Sequence, residues 1–479
     1  MSKIYFLDQS TSLFLLIIIS LFFTVVGIYY SKKFQGINNY LTANRNVSLF
    51  SLTTSLIGSA LGAWILFGPV AAATWGGLGA VIGYALGTAF PMIFFIYLGK
   101  KIREEFPNGS SLVEFMRRKF GKSLFKLILL MTIFYMFIFL CAEVTAIAVL
   151  INFLSGTKLW ITALIVLLAT LSYTLHGGLK ASILTDNIQM IAILLLLLAL
   201  FVVISSSNGN NFSLSFINEK NPHLLSLSYI PSYTAGITFF IAVAATNLFH
   251  QGNWQRIYAA KNYETLKTSL KISFFAIVPI VFLMGFIGMV SFSIDPTIRA
   301  DLGFFSLLLI KQSTFISLLI LILGLALTIS TIDTLVNAIS SLFVVDGEAT
   351  FNFKNTNYLI ISKYFIIFLS LISFIIASKG FDVLYLFLLA DLFCCAFVVT
   401  VFYSFYYKNI KEKTAYLSII IGLISGLLFF PSPDYSKSLL VGYLLPKEIF
   451  APFISQSLLF LSFIIATFLP VVILKIRRI

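Results

Sequence analysis

Long apolar segments follow one another along the whole chain, separated by short polar loops. About 20 apolar residues are needed to cross the hydrocarbon core of a bilayer, and 13 segments reach or approach this length. They lie near residues 10–30, 48–75, 77–99, 123–153, 158–175, 184–206, 234–256, 268–293, 314–345, 358–378, 382–407, 415–431 and 451–474. The pattern therefore predicts an all-α integral membrane protein with about 13 transmembrane helices.

Lys and Arg residues are shared unequally between the two sets of loops. With the N-terminus outside, 24 of the 32 fall on the cytoplasmic side and eight stay outside. Because Lys and Arg collect in cytoplasmic loops, we expect the N-terminus outside and the C-terminus in the cytoplasm. The first segment is too long for the apolar region of a signal peptide, so we expect a multi-pass protein of the cell (inner) membrane.

The composition leaves little room for chemistry outside the bilayer. Only 10% of the 479 residues are charged and 59% are hydrophobic, whereas about a quarter of a soluble protein is charged. The three histidines are scattered, and the cysteines show no metal-ligand spacing. We expect neither an enzyme nor an organic cofactor, and we interpret the net charge of +14 as membrane topology rather than nucleic-acid binding.

The second segment is interrupted near its middle. In SLFSLTTSLIGSALGAWILFGPVAAATWGG, glycine or proline stands at Gly58, Gly62, Gly68 and Pro69. One interpretation is a kink with close packing, since Gly and Pro are common in membrane helices. The other is a broken helix whose free carbonyls bind a cation where the backbone lines a cavity.

A second interruption follows five segments later. Segment 234–256 carries a polar run from Asn247 to Asn253 between apolar flanks. The run either marks the cytoplasmic boundary, where we place Arg256, or matches the first interruption, as in transporters built from inverted repeats. The second interpretation predicts one transmembrane domain over residues 1–479, with repeats at 48–206 and 234–407 and peripheral parts at 1–47 and 408–479.

The stretch LALTISTIDTLVNAISSLF, which covers the end of segment 314–345, is polar on one face only. At about 100° per residue, its polar side chains other than Thr328 occupy one half of the helix, and apolar side chains occupy the other. Such a face must look into protein or water. One interpretation is that this polar face lines an ion or solute site. The other is that it forms hydrogen bonds with neighbouring helices. Other acids within apolar segments are functional candidates too: Glu143, Asp186 and Asp391.

Three stretches together resemble the sodium:solute symporter family. They are SYTLHGGLKASILTDNIQM at residues 172–190, GSALGAWILFG at residues 58–68 and ISTIDT at residues 329–334. Their order, their spacing and the number of segments are similar to those of the family. The resemblance implies the leucine-transporter-type fold, with two inverted five-helix repeats whose first helices are discontinuous. It also implies import of a small solute driven by a sodium gradient.

The resemblance further implies a sodium site between the second and ninth segments. Its ligands would be the backbone carbonyls of Gly58, Leu61 and Leu327 and the hydroxyls of Ser330 and Thr331. Carbonyl and hydroxyl oxygens suit a hard monovalent cation. An exit pathway for the ion would pass Asp186 and Asp333. Ala60 stands where some relatives carry an acid, so a proton remains the alternative coupling ion.

The solute would bind where the two interrupted segments meet. The candidate residues supply aromatic walls and polar groups that orient a small molecule: Ala63, Trp64, Phe67, Glu143, Asn247, His250 and Gln251. The stretch EFPNGSSLVEFMRRKFG at residues 105–121 resembles the urea-transporter-like branch of the family, but urea, proline, betaine, a carboxylate and a sugar all stay open. The alternative from another class is a nutrient sensor that works with a separate signalling partner.

Overall fold

The computed structural model describes residues 5–310, 313–347, 350, 357–406, 410–449 and 457–476, so the start of the predicted segment 451–474 lies outside the described residues. The described part is built from helices joined by short loops. The helices are α1 (Gln9–Lys33), α2 (Ile37–Thr42), α3 (Leu49–Ala60), α4 (Gly68–Glu105), α5 (Leu112–Lys119), α6 (Lys122–Ser155), α7 (Leu159–Asn208), α8 (Leu214–Lys220), α9 (Ile230–Phe249), α10 (Gln251–Ala259), α11 (Tyr263–Ile294), α12 (Gly303–Leu309), α13 (Thr314–Leu342), α14 (Tyr358–Ala377), α15 (Val383–Tyr403), α16 (Glu412–Phe429) and α17 (Leu458–Ile476).

The helices do not correspond one to one with the predicted segments. Within the described residues, 11 helices are long and apolar enough to cross a membrane, and the count of 13 is not confirmed. The predicted segments 158–175 and 184–206 both lie in α7, which is interrupted at Gly178 with φ of +57°. A glycine tolerates this left-handed backbone, so the chain changes direction between the two predicted segments while the helix is otherwise continuous.

The predicted break in the second segment is present. Helix α3 ends at Ala60, and Leu61 and Gly62 have non-helical backbones. A short 3₁₀ turn from Ala63 to Leu66 follows, and α4 then begins with Pro69 in its first turn. Proline is favoured at this position because the first amides of a helix have no intrahelical acceptor. The glycines and the proline therefore produce a discontinuous helix rather than a kink.

The second interruption is a sharper and shorter break. Helix α9 ends at Phe249, and His250 has the extended backbone angles φ −61° and ψ 107° before α10 starts at Gln251. Helix α9 packs against α4, and α10 packs against α3 and α13. The two interrupted segments therefore meet inside the helix bundle, as the pattern of two matched interruptions predicts.

Helix α13 lies at the centre of this arrangement. It packs against α3, α6, α7 and α10, and every residue from Leu323 to Leu342 is buried. Both faces of the helix are therefore covered by protein, and the polar half meets polar groups of its neighbours rather than lipid. This burial explains how one membrane-depth helix carries so many hydroxyls.

Candidate ion and solute site

The hydroxyls of α13 lie against the break after α3. The Ser330 hydroxyl is close to Gly58, because a Cβ atom placed on that glycine would lie 3.4 Å from Ser330 Oγ. Thr331 Oγ1 donates to the Leu327 carbonyl at 3.0 Å, and Thr331 also borders Gly62. The predicted ion ligands on α13 are thus brought beside the end of α3, where Leu61 is the first non-helical residue.

An ion pair that the sequence did not predict lies next to these hydroxyls. Arg256 Nη2 donates to Asp186 Oδ2 at 2.9 Å, and both side chains are almost fully buried, with 1% and 0% exposure. Ser330 Oγ donates to the other oxygen of Asp186 at 2.7 Å. Arg256 is therefore buried within the helix bundle, and its position at the cytoplasmic boundary stays a prediction.

The guanidinium of Arg256 connects three helices. Its Nε donates to Ser55 Oγ on α3 at 2.7 Å, and its Nη2 also donates to Thr334 Oγ1 on α13 at 3.0 Å. Its Nη1 donates to the Gly252 carbonyl within α10 at 3.0 Å. A planar guanidinium offers donors in several fixed directions, so one side chain ties the second interruption to the first and to α13.

Asp333 faces α7 and accepts hydrogen bonds from hydroxyl groups. Its carboxylate accepts from Tyr173 at 2.8 Å, from Ser182 at 2.8 Å and from Thr185 at 3.2 Å. Within the described residues, no ion pair joins Asp333 to a basic side chain. The structure therefore places Asp333 among neutral oxygen groups, close to the Asp186 pair, and its assignment to an ion-exit pathway stays a prediction.

Glu143 contacts the backbone of the break. Its carboxylate accepts hydrogen bonds from the amide of Ala63 at 3.0 Å and from the amide of Trp64 at 3.5 Å. These amides open the 3₁₀ turn, so they have no intrahelical acceptor of their own. A buried carboxylate is stabilised by such donors. Glu143 thus holds the turn in place, a role that its position on α6 alone does not reveal.

A small enclosed cavity separates the two interruptions, and three of the predicted solute residues line it: Trp64, Asn247 and His250. Ala63, Phe67, Glu143 and Gln251 are not among its lining residues. Phe67 packs against Phe305, and the Gln251 amide donates to the Ser110 carbonyl at 2.9 Å. The structure therefore divides the predicted solute site into cavity-lining and supporting residues.

Two further polar residues face the same cavity and were not among the predicted solute ligands. Asp391 on α15 lines it together with Thr246 on α9, and the Thr246 hydroxyl donates to Asp391 Oδ1 at 2.6 Å. The only sequence signal was an acid within an apolar segment. The cavity has a volume of about 30 Å³, which is room for about one water molecule. Binding of an organic solute therefore requires the helices to move apart.

A larger cavity opens beside α4 at the end of the bundle that is predicted to be extracellular. It has a volume of about 390 Å³ and is lined by residues that include Trp75, Arg299, Asp301, Asp382 and Tyr435. Arg299 and Asp301 form an ion pair. Burial raises the pKa of Asp382, and the nearby Asp301 carboxylate adds to the rise. This volume is in the range of small-molecule sites, so we expect the cavity to be a vestibule.

The fold is that of known ion-coupled transporters. A Na⁺-coupled sialic acid symporter, solved in a substrate-bound outward-open state, superimposes with a TM-score of 0.75 at 17% identity, over 97% of this chain and 96% of that one. Mhp1, a nucleobase-cation-symport-1 family transporter, superimposes with a TM-score of 0.58 at 14% identity, over 93% and 95% of the two chains. These likenesses establish the leucine-transporter-type fold.

The chain belongs to the sodium:solute symporter family, whose model matches residues 40–422. It is 25% identical to the spermidine transporter DUR31 of Candida albicans, over 88% of this chain and 81% of that protein. It is 24% identical to the sodium/myo-inositol cotransporter 2 of Bos taurus, over 86% and 68% of the two chains. The protein is thus a multi-pass membrane transporter and not an enzyme, and these matches give the sensor alternative no support.

Proposed function

We propose that this protein imports a small polar organic solute together with sodium, by alternating access. The observation that carries the proposal is the contact between the hydroxyls of Ser330 and Thr331 and the end of α3. Because α3 ends at Ala60, backbone carbonyls at and just after this end lack intrahelical donors. Those of Gly58 and Leu61 would join the Leu327 carbonyl and the two hydroxyls around sodium, which neutral oxygens bind without preventing its release.

The closed cavity supports a transport cycle in which the ion and the solute bind at neighbouring places. Gly62 lies between the ion ligand Thr331 and the carboxylate of Glu143, and Trp64 continues the same turn into the cavity wall. Sodium at the break would therefore fix the backbone that shapes the solute site. With a negative cell interior, entry of one sodium ion through 100 mV contributes about 2.3 kcal/mol, which favours import across the cell (inner) membrane.

The comparisons leave the solute class open. The relatives named above transport spermidine and myo-inositol, and the structurally similar symporter binds sialic acid. A polyamine, a polyol and an acidic sugar share only small size and polarity. We therefore propose a small polar organic solute at this stage, and urea, proline, betaine, other carboxylates and sugars remain within that class.

The coupling ion is tested by uptake into proteoliposomes with imposed gradients. The purified full chain is reconstituted, and radiolabelled spermidine, betaine, proline, urea and myo-inositol are supplied outside. We expect uptake of at least one of them to require an inward sodium gradient and to stop when sodium is equal on both sides. Liposomes without protein are the control. Uptake sustained by an inward proton gradient alone would show that the coupling ion is a proton.

Replacing Thr331 with alanine should raise the sodium concentration needed for half-maximal thermal stabilisation about tenfold, which corresponds to the loss of about 1.4 kcal/mol of binding free energy. The expected cause is the loss of one ligand oxygen. Thermal melting of the purified protein over a sodium titration measures this without knowledge of the solute, because a ligand that binds the folded state stabilises it.

Thr328 provides a matched control for this substitution. It is a buried threonine on the same helix, and its hydroxyl has no hydrogen-bond partner among the described residues. Thr328→Ala should leave the sodium dependence unchanged, and Thr331→Ser should restore most of it by returning the hydroxyl. If Thr331→Ala and Thr328→Ala show the same half-maximal sodium concentration, Thr331 is not a sodium ligand.

A further inference from the structure

The central cavity combines one carboxylate with aromatic walls. Trp64 stacks on Tyr84 with ring centroids 5.5 Å apart, and Phe139 meets Phe387 edge to face at 4.7 Å. All four rings line the cavity together with Asp391. Aromatic faces attract cations through the ring quadrupole, and such walls are a recurrent way to recognise ammonium groups.

Asp391 is buried and has no basic partner among the residues that the structure describes. Asp391 is 3% exposed, and its carboxylate accepts a hydrogen bond from the neutral hydroxyl of Thr246. Across the described residues, no Lys, Arg or His forms an ion pair with it. By contrast, the buried carboxylate of Asp186 is paired with Arg256. A lone carboxylate at membrane depth is costly unless a cation or a proton neutralises it.

We propose that the transported solute is a small organic cation, a protonated amine or a quaternary ammonium, whose charged nitrogen binds between Asp391 and the ring of Trp64. This inference rests on the proposed transport function and names the solute class of the same cavity. The solute supplies the positive charge that the protein does not supply at Asp391. An anionic solute is disfavoured because the cavity would hold two negative charges in a medium of low dielectric constant.

The test compares charged and neutral probes of the same shape. Choline and its neutral carbon isostere 3,3-dimethylbutan-1-ol differ in the charge of one atom, and spermidine and myo-inositol extend the comparison. Thermal melting of the purified full chain is measured in sodium with each probe. We expect choline or spermidine to raise the melting temperature, and neither the isostere nor myo-inositol to do so.

Asp391→Asn removes the charge and keeps the shape. We expect it to weaken binding of the cationic probe by at least tenfold, whereas Asp391→Glu keeps measurable binding. Stabilisation by sodium alone reports whether each variant is folded. Binding that Asp391→Asn retains would show that recognition of the cation does not depend on the carboxylate charge and would overturn the proposal. So would a lack of stabilisation by both cations, or equal stabilisation by choline and its isostere.

The sodium titration separates this inference from the proposed function. If the wild type is stabilised by sodium and by myo-inositol but by neither cation, sodium coupling stands and the cationic solute class fails. If sodium has no effect on the wild type and on uptake, the proposed coupling fails as well. Each result therefore identifies which of the two proposals it contradicts.

Discussion

Replacing Arg256 with methionine should lower the free energy of unfolding by about 3–5 kcal/mol, the usual cost of removing one partner of a buried ion pair. The substitution leaves the Asp186 carboxylate, which is 0% exposed, without its cation. It also removes the donors to Ser55 and Thr334. Chemical denaturation of the purified protein in detergent measures the change.

The double variant Asp186→Asn with Arg256→Met tests the cause. Because it removes both charges, it should recover more than half of the lost stability. Lys100→Met is the control, because it removes a salt bridge at the surface. Lys100 Nζ and Glu104 Oε1 lie 3.9 Å apart, and the two side chains are 52% and 66% exposed. Such surface pairs contribute at most about 1 kcal/mol. If the double variant is no more stable than Arg256→Met, the ion pair is not what stabilises this region.

Replacing Gly62 with alanine should weaken sodium binding by about tenfold or more and strongly reduce uptake. The added Cβ would lie 2.3 Å from Glu143 Oε1 and 2.8 Å from Thr331 Oγ1. Neither atom can move freely, because Glu143 is bound to the amide of Ala63 and Thr331 to the Leu327 carbonyl. Overpacking of this kind costs about 1–3 kcal/mol. Sodium titration by thermal melting and uptake into proteoliposomes measure the two effects.

Gly58 offers a matched glycine in the same segment. A Cβ there would meet Ser330 Oγ at 3.4 Å and Asp186 Oδ1 at 3.7 Å, which are ordinary van der Waals contacts. Gly58→Ala keeps the backbone carbonyl that is proposed to bind sodium, so its sodium affinity should stay within about threefold of the wild type. Equal effects of the two substitutions would contradict the close packing proposed around Gly62.

The two predictions concern one connected region. Arg256 joins α10 to α3 and α13, and Glu143 joins α6 to the turn after α3. The backbone between them contains Gly62 and two of the proposed sodium carbonyls, those of Gly58 and Leu61. A change in occupancy at the ion site would therefore reach both interruptions through direct contacts, which is the kind of connection that alternating access requires.

Much of this architecture followed from local sequence patterns. Apolar length identified membrane-crossing segments. Glycine with proline at Gly58–Pro69 located an interruption, because these residues act on the backbone where they stand, and the structure showed that it is a break rather than a kink. The one-sided distribution of hydroxyls identified the buried polar face of α13, because helical period alone decides which side chains share a face. The count of 13 is not confirmed as a count of helices, since α7 continues through the turn at Gly178 and holds two of the predicted segments.

The sequence by itself indicated the class of protein and located the interruption in the second segment, and its family resemblance named the hydroxyl pair Ser330 and Thr331 as ion ligands to be tested. Only the tertiary structure decided the partners of the buried charges. Arg256 pairs with Asp186 across 70 residues, Glu143 with Ala63 across 80, and Asp391 with Thr246 across 145. Periodicity and composition act over a few residues, whereas the stability of a buried charge depends on whichever groups the fold brings within hydrogen-bond distance.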